Sequence, residues 1–311
     1  MSNLLEVVLP LFGLMALGFF AVRVGLIQQG GVRGLVLFVF NFSIPSLLLR
    51  SMAEMQFPAD MEWGFLIAFY AGSFVTYGGG ALLGRVVFGR PLADQAIFGM
   101  GAGFSNVVLM GIPITLTAFG PEAALPMFLI IGFHSATFMP ITVAIVQAGQ
   151  PDGPTGWARV TGIAADVLKN PIILGIILGA AVNFVGTGIW VPVDRVLELL
   201  GTAAVPCALF AMGASLAGYP LAGDVPPALA LTGLKLIVHP LIVWVVAVPI
   251  LGLEGLWAAV PVVMASMPSA VNVYLFGERY EAAPGVAART VLLTSVGSLV
   301  TISIILAVIA G

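Results

Sequence analysis

Uncharged runs of about twenty residues recur along the whole chain, and a helix needs roughly that many apolar side chains to cross a hydrocarbon core of about 30 Å. The runs lie near 4–22, 35–53, 64–87, 95–118, 123–148, 167–188, 195–217, 228–250, 255–276 and 286–310, which predicts an all-α membrane protein of ten transmembrane helices. Composition supports this reading: 60% of residues are hydrophobic and 8% charged, where a soluble domain carries about a quarter charged. The longest connection, about 149–166, holds Pro151, Asp152, Gly153 and Pro154 and reads as a linker, so no soluble domain is expected. Glu6 near the start of the first run, and no small-residue cleavage pattern after it, read as a retained anchor and not a removed signal peptide.

Fourteen acidic against eleven basic residues give a formal charge of -3, with no basic field for nucleic acid. Cys207 is the one cysteine and there are two histidines, so no disulfide, thiolate cluster or zinc site is expected and no cofactor is implied. No Ser/His pair or paired aspartates fall at matching depth, so the chain does not read as an enzyme.

Basic residues in short loops set orientation. The odd-numbered loops hold Arg23, Arg33, Arg85, Arg90, Arg159, Lys169, Arg279 and Arg289, and the even-numbered loops only Arg50 and Arg195. Eight against two places the odd loops in the cytoplasm and both termini outside an inner membrane. Lys235 lies within the eighth run, and it is read as sitting near the start of that span, on the majority side.

Spacing points to an internal repeat. Pro10 and Pro171 lie 161 apart, as do Pro45 and Pro206, and Phe119-Gly120 recurs as Phe276-Gly277 at 157. Two units follow, 1–148 and 167–311, joined by the linker 149–166. Five spans per unit is an odd number, so the second unit enters the membrane from the opposite side. Such an inverted repeat typifies secondary transporters and places the substrate between its copies.

The fourth span contains Ser105, Asn106, Gly111 and Pro113, and the ninth contains Pro268, Ser269 and Asn272. A proline inside a helix removes a donor and crowds the preceding turn, so 106–113 is predicted to be unwound or kinked, with a matching break in the ninth span. Irregular backbone at membrane depth survives only against protein or a wet cavity, so the two breaks are expected to face each other. A half-helix starting there presents free N–H groups and a positive dipole end, which suits an anion. The amides of Asn106 and Asn272 can donate to a carboxylate. No Asp, Glu, Lys or Arg lies between Gln95 and Pro121 or between Gly255 and Gly277, so a carboxylate pair for cation exchange is missing.

His134, in the fifth span, is a candidate for substrate contact or protonation, or else a packing histidine. His239 precedes Pro240 and reads as structural. Asn41, Ser43 and Pro45 place polar groups and a kink mid-span in helix two, where they could line the cavity. Gly80 with Gly84 and Gly175 with Gly179 fit the small-xxx-small pattern for close helix contact.

The segment Asn106-Val-Val-Leu-Met-Gly-Ile-Pro113 resembles the Asn-x-x-x-Met-Gly-Ile-Pro stretch of the auxin efflux carrier (PIN-like) family and its bacterial organic-acid transporters. Lys169-Asn170-Pro171, Pro206 to Leu216 and Met267 to Tyr280 resemble further family segments. The chain lacks the long cytoplasmic loop of many plant members and is similar to the short bacterial ones. The resemblance implies two inverted five-helix repeats with crossed, broken fourth and ninth helices, similar to bile-acid symporters and sodium/proton antiporters. It implies that helices 1, 2, 6 and 7 form a scaffold that pairs into a homodimer, while helices 3 to 5 and 8 to 10 carry substrate in an elevator-like motion. Asn106 maps onto the family's anion-contacting asparagine, and Asn170 joins the candidate site by resemblance alone.

The expected function is a secondary efflux carrier of small organic anions, carboxylates or auxin-like acids. A sodium- or proton-coupled symporter and a non-transporting sensor of organic acids are the alternatives.

Overall fold

The computed structural model describes residues 2–55, 61–149, 170–218 and 224–310, which are overwhelmingly helical. Most of the predicted 149–166 linker, with Arg159, falls outside the described residues, as does Lys169. The helices are α1 (Ser2–Arg23), α2 (Gln29–Glu54), α3 (Gly64–Val86), α4 (Leu92–Gly103), α5 (Val107–Phe119) and α6 (Pro121–Ala148). After these come α7 (Pro171–Val185), α8 (Val191–Leu216), α9 (Val225–Ile250), α10 (Gly255–Ser266), α11 (Val271–Arg279) and α12 (Pro284–Ala310).

Among the described residues six helices are long and apolar enough to cross a membrane, namely α2, α3, α6, α8, α9 and α12. The predicted fourth and ninth spans are each split, into α4 with α5 and α10 with α11. At 1.5 Å per residue the 12-residue α4 is about 18 Å long, too short to cross alone. Each of these two predicted spans is thus a pair of shorter helices with an interruption between them.

The prolines act through a recurring local device. Wide π turns cover Val39–Ser43, Val107–Gly111 and Leu234–Val238, and each ends two residues before a proline: Pro45, Pro113 and Pro240. A proline cannot bond the carbonyl four residues back and its ring collides with it. Widening the turn before the proline relieves that collision without ending the helix. The kinks expected at Pro45 and Pro113 thus take the form of π turns.

Two sets of helices pack internally. In the first, α1 lies on α8, and α2 on α7 and α8. In the second, α3 packs on α4, α9 and α10, α4 on α6, and α12 on α9 and α11. Close approach depends on glycine: a Cβ at Gly175 would come within 2.7 Å of the Pro45 carbonyl oxygen, and Gly179 packs on the Leu49 backbone. Gly80 sits as tightly, its Cβ position 2.6 Å from the Phe98 carbonyl oxygen. Both glycine pairs do the packing work that their spacing predicts. The outer faces are apolar, with Leu17, Leu82, Phe133, Leu178 and Ile304 exposed as lipid-facing side chains would be.

Candidate functional site

The chain breaks at Phe104–Asn106 between α4 and α5 and at Met267–Ala270 between α10 and α11. Both breaks are extended, and Ser105 and Ser269 pair across them as an antiparallel bridge. Asn106 N donates to Pro268 O at 2.8 Å and Ala270 N to Phe104 O at 3.2 Å. Two unwound segments thereby satisfy each other's backbone where lipid could not.

The breaks meet at Ser105 and at Pro268-Ser269: Pro268 lies in its break, while Pro113 sits in α5 beyond the π turn. The physical cause is that 104–106 leave the helix to form the bridge, whereas the π turn keeps the stretch before Pro113 helical.

The side chains around the bridge are buried. Asn106 is 4% exposed; its Oδ1 accepts from Leu109 N at 3.2 Å, capping α5, and its Nδ2 donates to Met212 Sδ of α8 at 3.3 Å. Gly111 leaves room for Met264, whose Sδ would lie 2.9 Å from a Cβ there. Ser269 Oγ donates to Gly101 O at 2.6 Å, and Ser269 N to Thr294 Oγ1 of α12 at 3.1 Å. On the other side of the bridge Ser105 N donates to His134 Nε2 of α6 at 3.0 Å, and the imidazole stacks on Phe104 at 4.5 Å. The separations between equivalent partners agree closely: Ser105 to Ser269 is 164 and His134 to Thr294 is 160.

Lys235 is the residue that the sequence reading misplaced. It lies ten residues into α9, fully buried, so it belongs to the crossover and does not count among loop charges. Its Nζ reaches Ala265 O at 2.6 Å, Ser105 Oγ at 2.9 Å and His239 Nδ1 at 2.9 Å. His239 Nε2 in turn lies 3.0 Å from Ser73 Oγ of α3. His239, expected to be structural, is thus part of this network. One signal was available: Lys235 is the sole charged residue between Val225 and Ile250, and it sits four residues before His239 on the same helix face.

The structure brings together Ser105, Asn106, Gly111, Pro268, Ser269 and His134, with Pro113 buried in the first α-helical turn after the π turn. Asn272 lies in the first turn of α11, just beyond the bridge. Asn41 does not join them: it is exposed and its Nδ2 donates to Leu37 O of its own helix at 2.8 Å. Asn170 caps α7, its Oδ1 accepting from Ile172 N at 3.0 Å. Away from the bridge, a cleft of about 800 Å³ lies where the ends of α2 and α5 meet the starts of α6 and α10, with Ser51, Glu54, Glu122 and Trp257 in its walls.

Comparison with known proteins places these features in context. The family described as "Membrane transport protein" matches residues 3–151 and 162–306. A Rhizobium meliloti protein named "Putative malonate transporter" is 27% identical over 310 residues, covering 97% of this chain and 95% of that one. An uncharacterized transporter of Methanocaldococcus jannaschii is 25% identical over 313 residues, 96% of this chain and 97% of its own. The mouse "Lysosomal cholesterol signaling protein" is 25% identical over 228 residues, which is 70% of this chain but 26% of that longer protein.

Proposed function

The chain belongs to the membrane transport protein family, the auxin-efflux-carrier-like group to which its motifs pointed, and from that premise we propose that it is a secondary carrier of small organic anions with its substrate site at the crossover. One observation carries the reading. The Asn106 amide is a strong donor, it is buried, and it is spent on a thioether, which is a weak acceptor. A carboxylate entering between α5 and α8 would replace Met212 Sδ with a charge-assisted bond, roughly twice as strong as a neutral one.

The charge pattern agrees. Lys235 supplies a positive centre to the crossover, and α4, α5, α10 and the first seven residues of α11 contain no acidic residue from Gln95 onward. An unpaired anion there therefore meets no opposing carboxylate. The relative named for malonate makes a small dicarboxylate the first substrate to try.

Transport proceeds by elevator-like movement of one helix set past the other. The set α1, α2, α7 and α8 would be the scaffold, paired as a homodimer, and α3 to α6 with α9 to α12 the moving bundle. The Asn106 to Met212 contact bridges the two sets. The near-constant separation of crossover partners supports two inverted five-helix repeats, 1–148 and 167–311, with both termini outside an inner membrane.

Purified protein in liposomes is expected to accumulate labelled malonate, and Asn106→Ala to reduce the rate by at least about tenfold. Failure to move malonate, malate or indole-acetate would overturn the carrier reading. Thermal stabilisation by such an acid with zero flux would assign the chain to ligand sensing instead.

A further inference from the structure

Resting on the carrier reading above, we propose that the Lys235 side chain is the resident cation of the crossover: it holds by covalent attachment the place that a co-transported metal cation would fill, so the carrier needs no sodium. In carriers with broken helices, coupling cations are held by unwound backbone carbonyls and the C-terminal ends of half-helices, which carry partial negative charge. Ala265 is the second-last residue of the half-helix α10 (Gly255–Ser266), and its carbonyl oxygen lies 2.6 Å from Lys235 Nζ.

The surroundings fit an ammonium. A lysine ammonium has three N–H groups and no acceptor, and Nζ has three neighbours at bonding distance: Ala265 O, Ser105 Oγ and His239 Nδ1. As an ammonium Lys235 can only donate, so in this arrangement His239 Nδ1 accepts and the ring proton sits on Nε2, donated to Ser73 Oγ. Ser73 Oγ is free to accept because its own proton goes to Phe69 O at 2.8 Å. Each donor in this series has one acceptor. The titratable groups facing Lys235 are His239 and, across Ser105, His134, and none of the ion pairs among the described residues involves Lys235. A bound metal ion would ordinarily draw carboxylate ligands; here the helix end and two neutral side chains serve one monovalent charge.

The equivalent point on the other break makes the contrast. Gly101 O precedes Ala265 O by 164 residues, the same separation as Ser105 to Ser269. Gly101 O accepts from the Ser269 hydroxyl at 2.6 Å, and among the described residues no lysine or arginine bonds it. Among the described residues a tethered charge thus lies at the α10 end and not at the matching α4 end.

The test uses the whole protein with sodium as the probe, read both as malonate flux in liposomes and as melting temperature in detergent. The parent is expected to transport equally in sodium-free and sodium-containing buffer, and its melting temperature to ignore sodium. Lys235→Met, which keeps length but not charge, is expected to lose flux by at least about tenfold and to be stabilised by added sodium or methylammonium. Sodium-dependent flux or sodium stabilisation of the parent would overturn the proposal, as would parental flux in Lys235→Met. A folded Lys235→Met that no cation stabilises would also overturn it. If that variant does not fold, the sodium response of the parent decides. If the parent moves no acid at all, the carrier reading fails, while the melting shifts still decide whether Lys235 holds the cation position.

Discussion

The side-chain amide of Asn106 lies 3.3 Å from the sulfur of Met212, joining the end of a broken helix to a neighbouring helix set through a polar contact with a weak acceptor. Asn106 also caps α5 through Leu109 N. The two roles separate by substitution. Asn106→Ala is expected to lower thermal stability by about 1 kcal/mol through the lost cap and to remove most malonate flux. Met212→Leu leaves the cap intact, and its flux is expected to stay near the parental rate. Equal loss of flux in both variants would indicate packing and not anion contact.

Asn183 of α7 directs its Nδ2 at the carbonyls of Met52, Ala53 and Met55, at 3.1, 3.0 and 2.7 Å. These carbonyls close the end of α2, where the helix has no bonds of its own to offer. Asn183→Ala is expected to cost about 1–3 kcal/mol, seen as a lower melting temperature in detergent. Asn183→Asp should be worse, because a carboxylate would face three carbonyl oxygens.

Glycines divide sharply by their surroundings. A Cβ on Gly213 of α8 would collide with the Met15 backbone of α1, whereas Gly78 of α3 has nothing within 4 Å. Gly213→Val is expected to lose about 1–3 kcal/mol or more by forcing the helices apart. Gly78→Ala should be neutral or stabilising by up to about 1 kcal/mol, since alanine narrows the unfolded ensemble. Comparing folded yield and melting temperature of the two variants checks both.

Arg50 Nε meets Asp194 Oδ1 at 2.8 Å, tying α2 to α8, with both side chains about a third exposed at 32% and 29%. A double-mutant cycle with Arg50→Ala and Asp194→Ala is expected to give a coupling of no more than about 1 kcal/mol, given the exposure. Molar salt should shrink it further. A larger, salt-insensitive coupling would mean that the pair is shielded from water.

Runs of apolar residues made the all-helical, membrane-spanning character legible, because hydropathy and length act within one segment. Proline chemistry is equally local, so irregular turns before Pro45 and Pro113 were legible, as were the glycine contacts on α2 and α4. The kind of irregularity was not, since a π turn and a broken helix both relieve a proline. Which one forms depends on whether an opposing strand such as Met267–Ala270 can satisfy the exposed backbone. Side-chain direction was likewise lost to sequence. Asn41 and Ser43 were grouped as cavity-lining, yet residues two apart on a helix point about 200° apart, and only Ser43 faces inward. Lys235 shows the limit most clearly. Its charge was plain in the sequence, but its meaning rests on Ser105, 130 residues earlier, and on Ala265, 30 residues later. Hydropathy reads each helix against lipid; what a buried ammonium bonds is set by which helix ends the folded chain brings against it.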